Sequence, residues 1–174
     1  YMGDCVMAFW NAPLDDPDHR RHACDAALAM MAALRELNAK LASDPEAYGC
    51  AIPALVIGIG INTGMCVVGN MGSDQRFDYS VISDEVNLAS RLEGQSKTYG
   101  VSIVLGENTQ ASLPTLATLE LDSIRVKGKT KPARIHVLLG AEPLAAGPGF
   151  TALREAHAAM LAAYRQQRFP EAAA

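Results

Sequence analysis

The strongest constraint on the fold is the alternation of strand-type and helix-type segments along the chain. Apolar, β-branched runs that predict strands recur at residues 4–10, 54–64, 77–82 and 101–106. Two further strand-type runs, residues 116–126 and 133–139, flank the loop "KGKTKP" and predict a β-hairpin. The glycine-punctuated segment 67–77 is typical of a turn region. Alternating helices and strands, with antiparallel hairpins among them, favour a mixed-sheet α/β layer fold.

Two long helices are predicted from their start and stop signals. The first begins with Asp16 as the capping residue and Pro17 at the first helical position, and it carries apolar residues at helical spacing. The second is capped by Ser83 and ends near Gly100, a residue type that favours helix termini. A shorter helix is expected over residues 107–113.

Two glycines mark a place of close approach in the strand predicted at residues 54–64. Gly58 and Gly60 are two residues apart, so they lie on the same face of that strand. A glycine in a strand often marks a site where another backbone or a ligand comes near. We therefore expect another backbone or a ligand to approach this face closely.

The composition limits the class of protein. At 174 residues the chain suits one domain, and its 49 % hydrophobic content indicates an ordered globular protein. The net charge of −4 argues against a nucleic-acid partner, because nucleic-acid-binding domains present a basic surface. No apolar run approaches the roughly 20 residues that a membrane-spanning helix needs, and the first residues lack a signal-peptide pattern.

The cysteines and histidines do not predict a metal centre. The four cysteines show no C-x-x-C spacing, which favours reduced thiols over a disulfide framework or a zinc site. His19, His22 and Cys24 follow a charged run, and we interpret the two histidines as solvated residues at the start of a helix.

The chain divides into three predicted parts. Residues 1–139 hold all the alternating elements, residues 140–149 are rich in Gly, Ala and Pro and resemble a linker, and residues 150–174 form an Ala-rich helical tail. The tail is expected to dock on its own domain or on a partner.

The second helix carries two polar side chains at a suggestive spacing. Asn87 and Arg91 are four residues apart, so they lie on one side of the helix and face the same space. Taken alone, the pair is compatible with an ordinary solvated helix face.

The order of the motifs changes that interpretation. The segments "YMGDCVMAFW", "GIGINTG", "VVGNMG", "FDYSVISDEVNLASRLE" and "RVKGK" occur in the order and at the approximate spacing of the class III nucleotide cyclases. Residues 1–139 thus resemble the adenylyl and guanylyl cyclase catalytic domain, and more closely its bacterial-type adenylyl cyclase subgroup. The resemblance implies a ferredoxin-like core, with flanking helices on a mixed, mostly antiparallel sheet. It also implies a head-to-tail homodimer in which both subunits contribute to each nucleotide site.

The resemblance assigns roles residue by residue. Asn87 would orient the ribose, and Arg91 would stabilise charge on the reacting phosphate. Asp4 would be the second of two aspartates that hold two Mg²⁺ (or Mn²⁺) ions. Lys127 would bind the terminal phosphates of ATP, and Ser80 would meet the edge of the base, where a hydroxyl can donate or accept a hydrogen bond.

The chain also departs from the family pattern. It begins inside a hairpin, so the first strand, the first metal-binding aspartate and the base-reading lysine of the family are not within it. We therefore expect an N-terminally truncated domain, cytoplasmic, in a protein that can carry an upstream sensor domain or a membrane attachment. Three alternatives stay open: a guanylyl cyclase, an inactive cyclase-like dimerisation or nucleotide-binding module, and an unrelated ferredoxin-like ligand-binding domain.

Overall fold

The computed structural model describes residues 1–43, 49–50, 52–73, 76–125 and 132–173. The elements, in chain order, are α1 His19–Ser43, β1 Ile59–Ile61, β2 Val67–Ser73, β3 Arg76–Ile82, α2 Asp84–Tyr99, β4 Ile103–Gly106, α3 Glu107–Ala111, β5 Ala117–Ile124, β6 Ala133–Gly140, α4 Glu142–Ala145, α5 Pro148–Arg165 and α6 Phe169–Ala172. No helix in these ranges is both long enough and apolar enough to cross a membrane.

The strands form a four-stranded sheet and a separate hairpin. The sheet has the order β1-β4-β6-β5, in which β1 pairs with β4 in parallel and the other two pairs are antiparallel. Strands β2 and β3 form a separate antiparallel pair, with Gly69 opposite Ser80. The predicted mixed, mostly antiparallel sheet with flanking helices is confirmed, as is the hairpin formed by β5 and β6.

Helices α1 and α2 cover opposite faces of the sheet. Val104 packs with Leu92 of α2, while its neighbours Ile103 and Leu105 pack with Cys24 of α1. Alternate residues of a strand point to opposite faces, so β4 separates two apolar clusters. All of these side chains are almost fully removed from water, and their burial is the main force that holds both helices on the sheet.

The predicted close approach at Gly58 and Gly60 is confirmed, and the approaching element is α2. A Cβ on Gly60 would overlap the carbonyl oxygen of Ala89 and the amide nitrogen of Glu93. A Cβ on Gly58 would overlap the hydroxyl of Ser96. The helix backbone can lie this near the strand because both glycines lack side chains.

Both ends of α2 have the predicted caps. The Ser83 hydroxyl accepts hydrogen bonds from the backbone nitrogens of Glu85 (3.0 Å) and Val86 (3.2 Å). At the other end, Gly100 has a φ of 65°, in the left-handed region, and its N–H donates to the Ser96 carbonyl. Helix α1 begins at His19, two residues beyond Pro17, after a turn in which the Asp16 carboxylate accepts from the Asp18 backbone at 3.1 Å.

Three local predictions were wrong. Residues 4–10 form no strand, and the only pairing described near them is a single bridge between Met2 and Cys5. The strand expected over residues 54–64 is limited to Ile59–Ile61. Most of the segment 67–77, expected as a turn region, belongs to the strands β2 and β3. In each case the hydrogen-bonding neighbour decides whether an extended segment is a strand, and local composition does not reveal that neighbour.

The C-terminal segment packs on the sheet. Helix α4 lies within the predicted linker, and Arg21 of α1 forms an ion pair with Glu142 at its start. The first turn of α5 buries Phe150 against Leu119 and Val137. The boundaries proposed from the sequence for three separate parts remain a prediction.

Candidate active site

Helix α2 presents Asn87 and Arg91 to solvent on one side. Both side chains are exposed, whereas Leu88 and Leu92, each the next residue along the helix, are buried on the sheet. Four residues correspond to about one turn, so the two polar side chains stand roughly 6 Å apart along the helix axis. The structure therefore brings together the amide and the guanidinium that the sequence singled out.

The first turn of α2 is fixed to the end of β1 by a side chain that sequence reasoning missed. The Asn62 amide nitrogen donates to the Glu85 carboxylate at 2.7 Å and to the Glu85 carbonyl at 3.1 Å. Asn62 directly follows β1, in the segment "GIGINTG". A polar residue directly after a short apolar strand was the available signal. Together with the Ser83 cap, this contact fixes the first turn of α2. It therefore helps to fix the position of Asn87, which follows that turn.

Ser80 lies on the strand that leads into α2. It is partly exposed and faces Gly69 on β2, and a Cβ on Gly69 would meet no atom within 4 Å. The neighbouring Tyr79 contacts Phe9, with ring centroids 6.0 Å apart, so the N-terminal segment lies against β3. Open space therefore adjoins the Ser80 hydroxyl on the hairpin.

Asp4 stands in a tight turn near the start of the chain. The turn is closed by two backbone hydrogen bonds between Met2 and Cys5, at 2.9 and 3.2 Å, and Gly3 takes a left-handed φ of 65°. The Asp4 side chain is exposed. Within the described ranges, no group of three or more potential ligand residues could enclose a metal ion. The Asp4 carboxylate supplies hard oxygen ligands of the kind that Mg²⁺ prefers.

Lys127 lies outside the described residues, so its assignment rests on sequence alone. Four other residues were predicted to belong to the site. Asn87 and Arg91 share a helix face, and Ser80 precedes them on the adjoining strand. Asp4 belongs to the separate N-terminal turn.

The family model for the adenylate and guanylate cyclase catalytic domain matches residues 1–140. The chain belongs to this family. The match covers every element from α1 to β6 and ends where the C-terminal helices begin. The ferredoxin-like cyclase fold expected from the sequence is thereby confirmed.

Curated relatives are named as adenylate cyclases. The chain is 36 % identical over 141 residues to adenylate cyclase 1 of Rhizobium meliloti, covering 80 % of this chain and 20 % of that protein. It is also 36 % identical over 140 residues to an adenylate cyclase of Anabaena cylindrica, covering 78 % of this chain and 26 % of that protein. The chain therefore spans about a fifth to a quarter of the length of these relatives.

Solved cyclase structures share the fold. The adenylyl cyclase CyaB from P. aeruginosa superposes with a TM-score of 0.65 at 36 % identity, over 81 % of this chain and 70 % of that one. A guanylyl cyclase superposes with a TM-score of 0.62 at 32 % identity, over 75 % and 62 % of the two chains.

Proposed function

We propose that the chain is the catalytic domain of an adenylyl cyclase, which converts ATP to 3′,5′-cyclic AMP and pyrophosphate in signal transduction. The observation that carries the proposal is the exposed Asn87–Arg91 pair on α2 in a member of the cyclase family. The names of the relatives at 36 % identity support adenine as the base.

The reaction is an internal phosphoryl transfer. The ribose 3′ oxygen attacks the α-phosphorus, the bond to the bridging oxygen breaks, and pyrophosphate leaves. Catalysis of such a transfer depends mainly on holding the reacting groups in line and on compensating negative charge. Asn87 orients the ribose through hydrogen bonds from its amide. Arg91 stabilises the charge on the phosphate, because a planar guanidinium donates two parallel hydrogen bonds to phosphate oxygens.

Two further residues recognise the rest of the nucleotide. Ser80 contacts the edge of the base from the β2–β3 hairpin, where Gly69 leaves space beside it. Lys127 binds the terminal phosphates through its ammonium group.

Asp4 would hold the metal ions together with oxygens of the substrate. One exposed carboxylate is compatible with Mg²⁺ or Mn²⁺, since Mg²⁺ in nucleotide sites commonly takes one or two carboxylates and several phosphate oxygens. When bound, such ions would neutralise charge on the triphosphate and favour deprotonation of the attacking hydroxyl.

Two subunits complete each site. Asp4 belongs to the N-terminal turn and the Asn87–Arg91 pair belongs to α2, so a head-to-tail homodimer can supply them to one nucleotide from different chains. We place the domain in the cytoplasm, in a protein that can carry an upstream sensor domain.

The test is a direct assay of the intact protein with ATP or GTP in the presence of Mg²⁺ or Mn²⁺. Cyclic AMP should form from ATP, and Arg91→Ala should nearly abolish it. Preferential formation of cyclic GMP would replace the proposal with a guanylyl cyclase. Nucleotide binding without turnover of either substrate would make the domain an inactive dimerisation or binding module.

A further inference from the structure

Asn62 holds the first turn of α2 through two acceptors of the same residue. Its Nδ2 donates to the Glu85 carboxylate at 2.7 Å and to the Glu85 backbone carbonyl at 3.1 Å. An amide nitrogen carries two hydrogens, so this orientation of the Asn62 side chain uses both of them. One of the two acceptors is ionised, and a hydrogen bond to an ionised group is stronger than one between neutral groups. The contact therefore fixes Glu85 in both distance and direction.

The oxygen of the Asn62 amide is packed against the last residue of β4. A Cβ on Gly106 would overlap the Asn62 Oδ1, so this oxygen lies directly over the Gly106 backbone. A glycine in a strand permits such a close approach, because it has no side chain. If the amide turned over, its oxygen would face the two oxygens of Glu85 and both hydrogen bonds would be lost. The Asn62 side chain is thus held in one orientation.

Glu85 is held at its side chain and at its backbone. A Cβ on Gly64 would overlap the Glu85 Cγ, so the carboxylate reaches Asn62 by crossing the loop at a residue without a side chain. The Glu85 backbone nitrogen donates to the Ser83 hydroxyl at 3.0 Å. Asn87 is only two residues further along the helix. A shift of Glu85 would therefore be passed on to Asn87 through the helical backbone.

The loop that carries Asn62 is tied to α3 on its other side. The hydroxyl oxygens of Thr63 and Thr109 are 2.9 Å apart, and Thr109 is fully buried. The Asn108 amide nitrogen donates to the Thr63 carbonyl at 3.2 Å. The position of Asn62 is therefore set by the sheet and by α3, and α2 is fixed relative to both.

We propose that Asn62 is a positioning residue for catalysis, which acts through Glu85 on the placement of Asn87. This inference rests on the proposed function, in which Asn87 orients the ribose. A misplacement of about 1 Å at a reacting group can cost on the order of 10²-fold in rate. In this role Asn62 does not touch the nucleotide, so its loss should act on the chemical step and hardly on the affinity for ATP.

The experiment is steady-state kinetics of cyclic AMP formation by the full chain carrying Asn62→Asp, at a temperature where circular dichroism shows the variant folded. The new carboxylate has no hydrogen to donate to the two Glu85 oxygens, so kcat should fall about 10-fold while KM for ATP changes less than about 2-fold. The matched control is Asn108→Ala, which removes an amide that holds the same loop from α3. Its kcat should stay within about 2-fold of the wild type. An unchanged kcat for Asn62→Asp, or a raised KM alone, would overturn the proposal.

A second substitution separates positioning from a general loss of stability. In the double variant Asn62→Asp/Glu85→Gln the donor and the acceptor exchange places, so kcat should recover to within about 3-fold of the wild type. Glu85→Gln alone keeps an acceptor for Asn62 and should cost less than about 3-fold in kcat. A folded double variant without any recovery would refute the role of the pair.

The wild type and Arg91→Ala are assayed in parallel. A wild type that forms neither cyclic AMP nor cyclic GMP would overturn the proposed function, and the role of Asn62 with it. An active wild type with an equally active Asn62→Asp variant would overturn the role of Asn62 alone.

Discussion

Gly60 of β1 faces the backbone of α2 at Ala89, and a Cβ on Gly60 would overlap the Ala89 carbonyl oxygen. The helix is thus seated directly on the strand, with no side chain between them. Asn87 and Arg91 belong to the same helix. The close contact between this glycine and this carbonyl therefore helps to fix the position of both side chains.

Gly60→Ala should destabilise the domain strongly. The added methyl group meets backbone atoms, which cannot rotate away as a flexible side chain can, so we expect a loss of about 3 kcal/mol in the free energy of unfolding. The measurement is urea denaturation followed by circular dichroism. Gly94→Ala is the matched control: a Cβ on Gly94, within α2, meets no atom within 4 Å, so the change should be neutral or stabilising by up to about 1 kcal/mol. Equal stability of the two variants would contradict the close packing of α2 on β1.

Mixed dimers should recover activity from two inactive variants. If Asp4 and Arg91 serve one site from different chains, a dimer of Asp4→Ala with Arg91→Ala contains one undamaged site. Each variant alone should be nearly inactive, and the mixture should regain a fraction of wild-type cyclic AMP formation. Confirmed heterodimers without any recovery would exclude the shared site.

Arg91→Ala should lower kcat by roughly 10²-fold or more with little change in KM. This is the pattern for loss of a donor that acts mainly on the transition state. Arg91→Lys should recover little activity, because an ammonium lacks the planar pair of donors. Arg35→Ala, an exposed position on α1, is the control and should behave like the wild type. A raised KM with an unchanged kcat would reduce Arg91 to a substrate-binding residue.

Ser80→Ala should act on the choice of nucleotide. The hydroxyl faces the base in our proposal, so its removal should change the ratio of kcat/KM for ATP to that for GTP by about 10-fold, which is typical of one lost hydrogen bond. Competition assays with both nucleotides measure the ratio. The control is Ser43→Ala at the end of α1, whose hydroxyl donates to the Lys40 carbonyl. If the ratio stayed unchanged while ATP turnover fell, Ser80 would not contact the base.

Cys24 should resist alkylation in the folded protein. It lies on α1, fully buried against the sheet, and burial raises the pKa of its thiol to about 12, so almost none of the reactive thiolate exists at pH 8. Cys5 and Cys50 are exposed and should react with iodoacetamide. Mass spectrometry of the labelled peptides separates the positions. Labelling of Cys24 at the rate of Cys5 in native protein would show that α1 does not pack as described, whereas urea should expose all the thiols.

Local sequence signals predicted the ends of α2 well. Ser83 caps the helix with its own side chain, and Gly100 ends it through the conformational freedom of its backbone. Both act within a few residues, so no contact with a distant segment is needed to recognise them. The spacing of Asn87 and Arg91 is likewise a property of the helix period. The sequence also indicated close approach at Gly58 and Gly60, but not that α2 was the element approaching.

The predictions that were wrong concern segments whose secondary structure depends on a partner far away in the chain. Residues 67–73 are glycine-rich and still form a strand, because Arg76–Ile82 supplies a complete ladder of hydrogen bonds. Residues 4–10 have strand-type composition, yet no ladder partner is described for them. A polar residue directly after β1 was a local signal for Asn62, but its partner, Glu85, depends on where α2 begins in space.

The sequence by itself therefore determined the ends of α2, the family and the choice of candidate catalytic side chains, since each follows from capping, helix periodicity or a specific motif order. Only the tertiary structure decided which extended segments pair, how closely α2 sits on β1, and that α5 packs on the sheet. Those features depend on contacts between residues far apart in the chain, and such contacts form only when burial of the shared core brings the elements together.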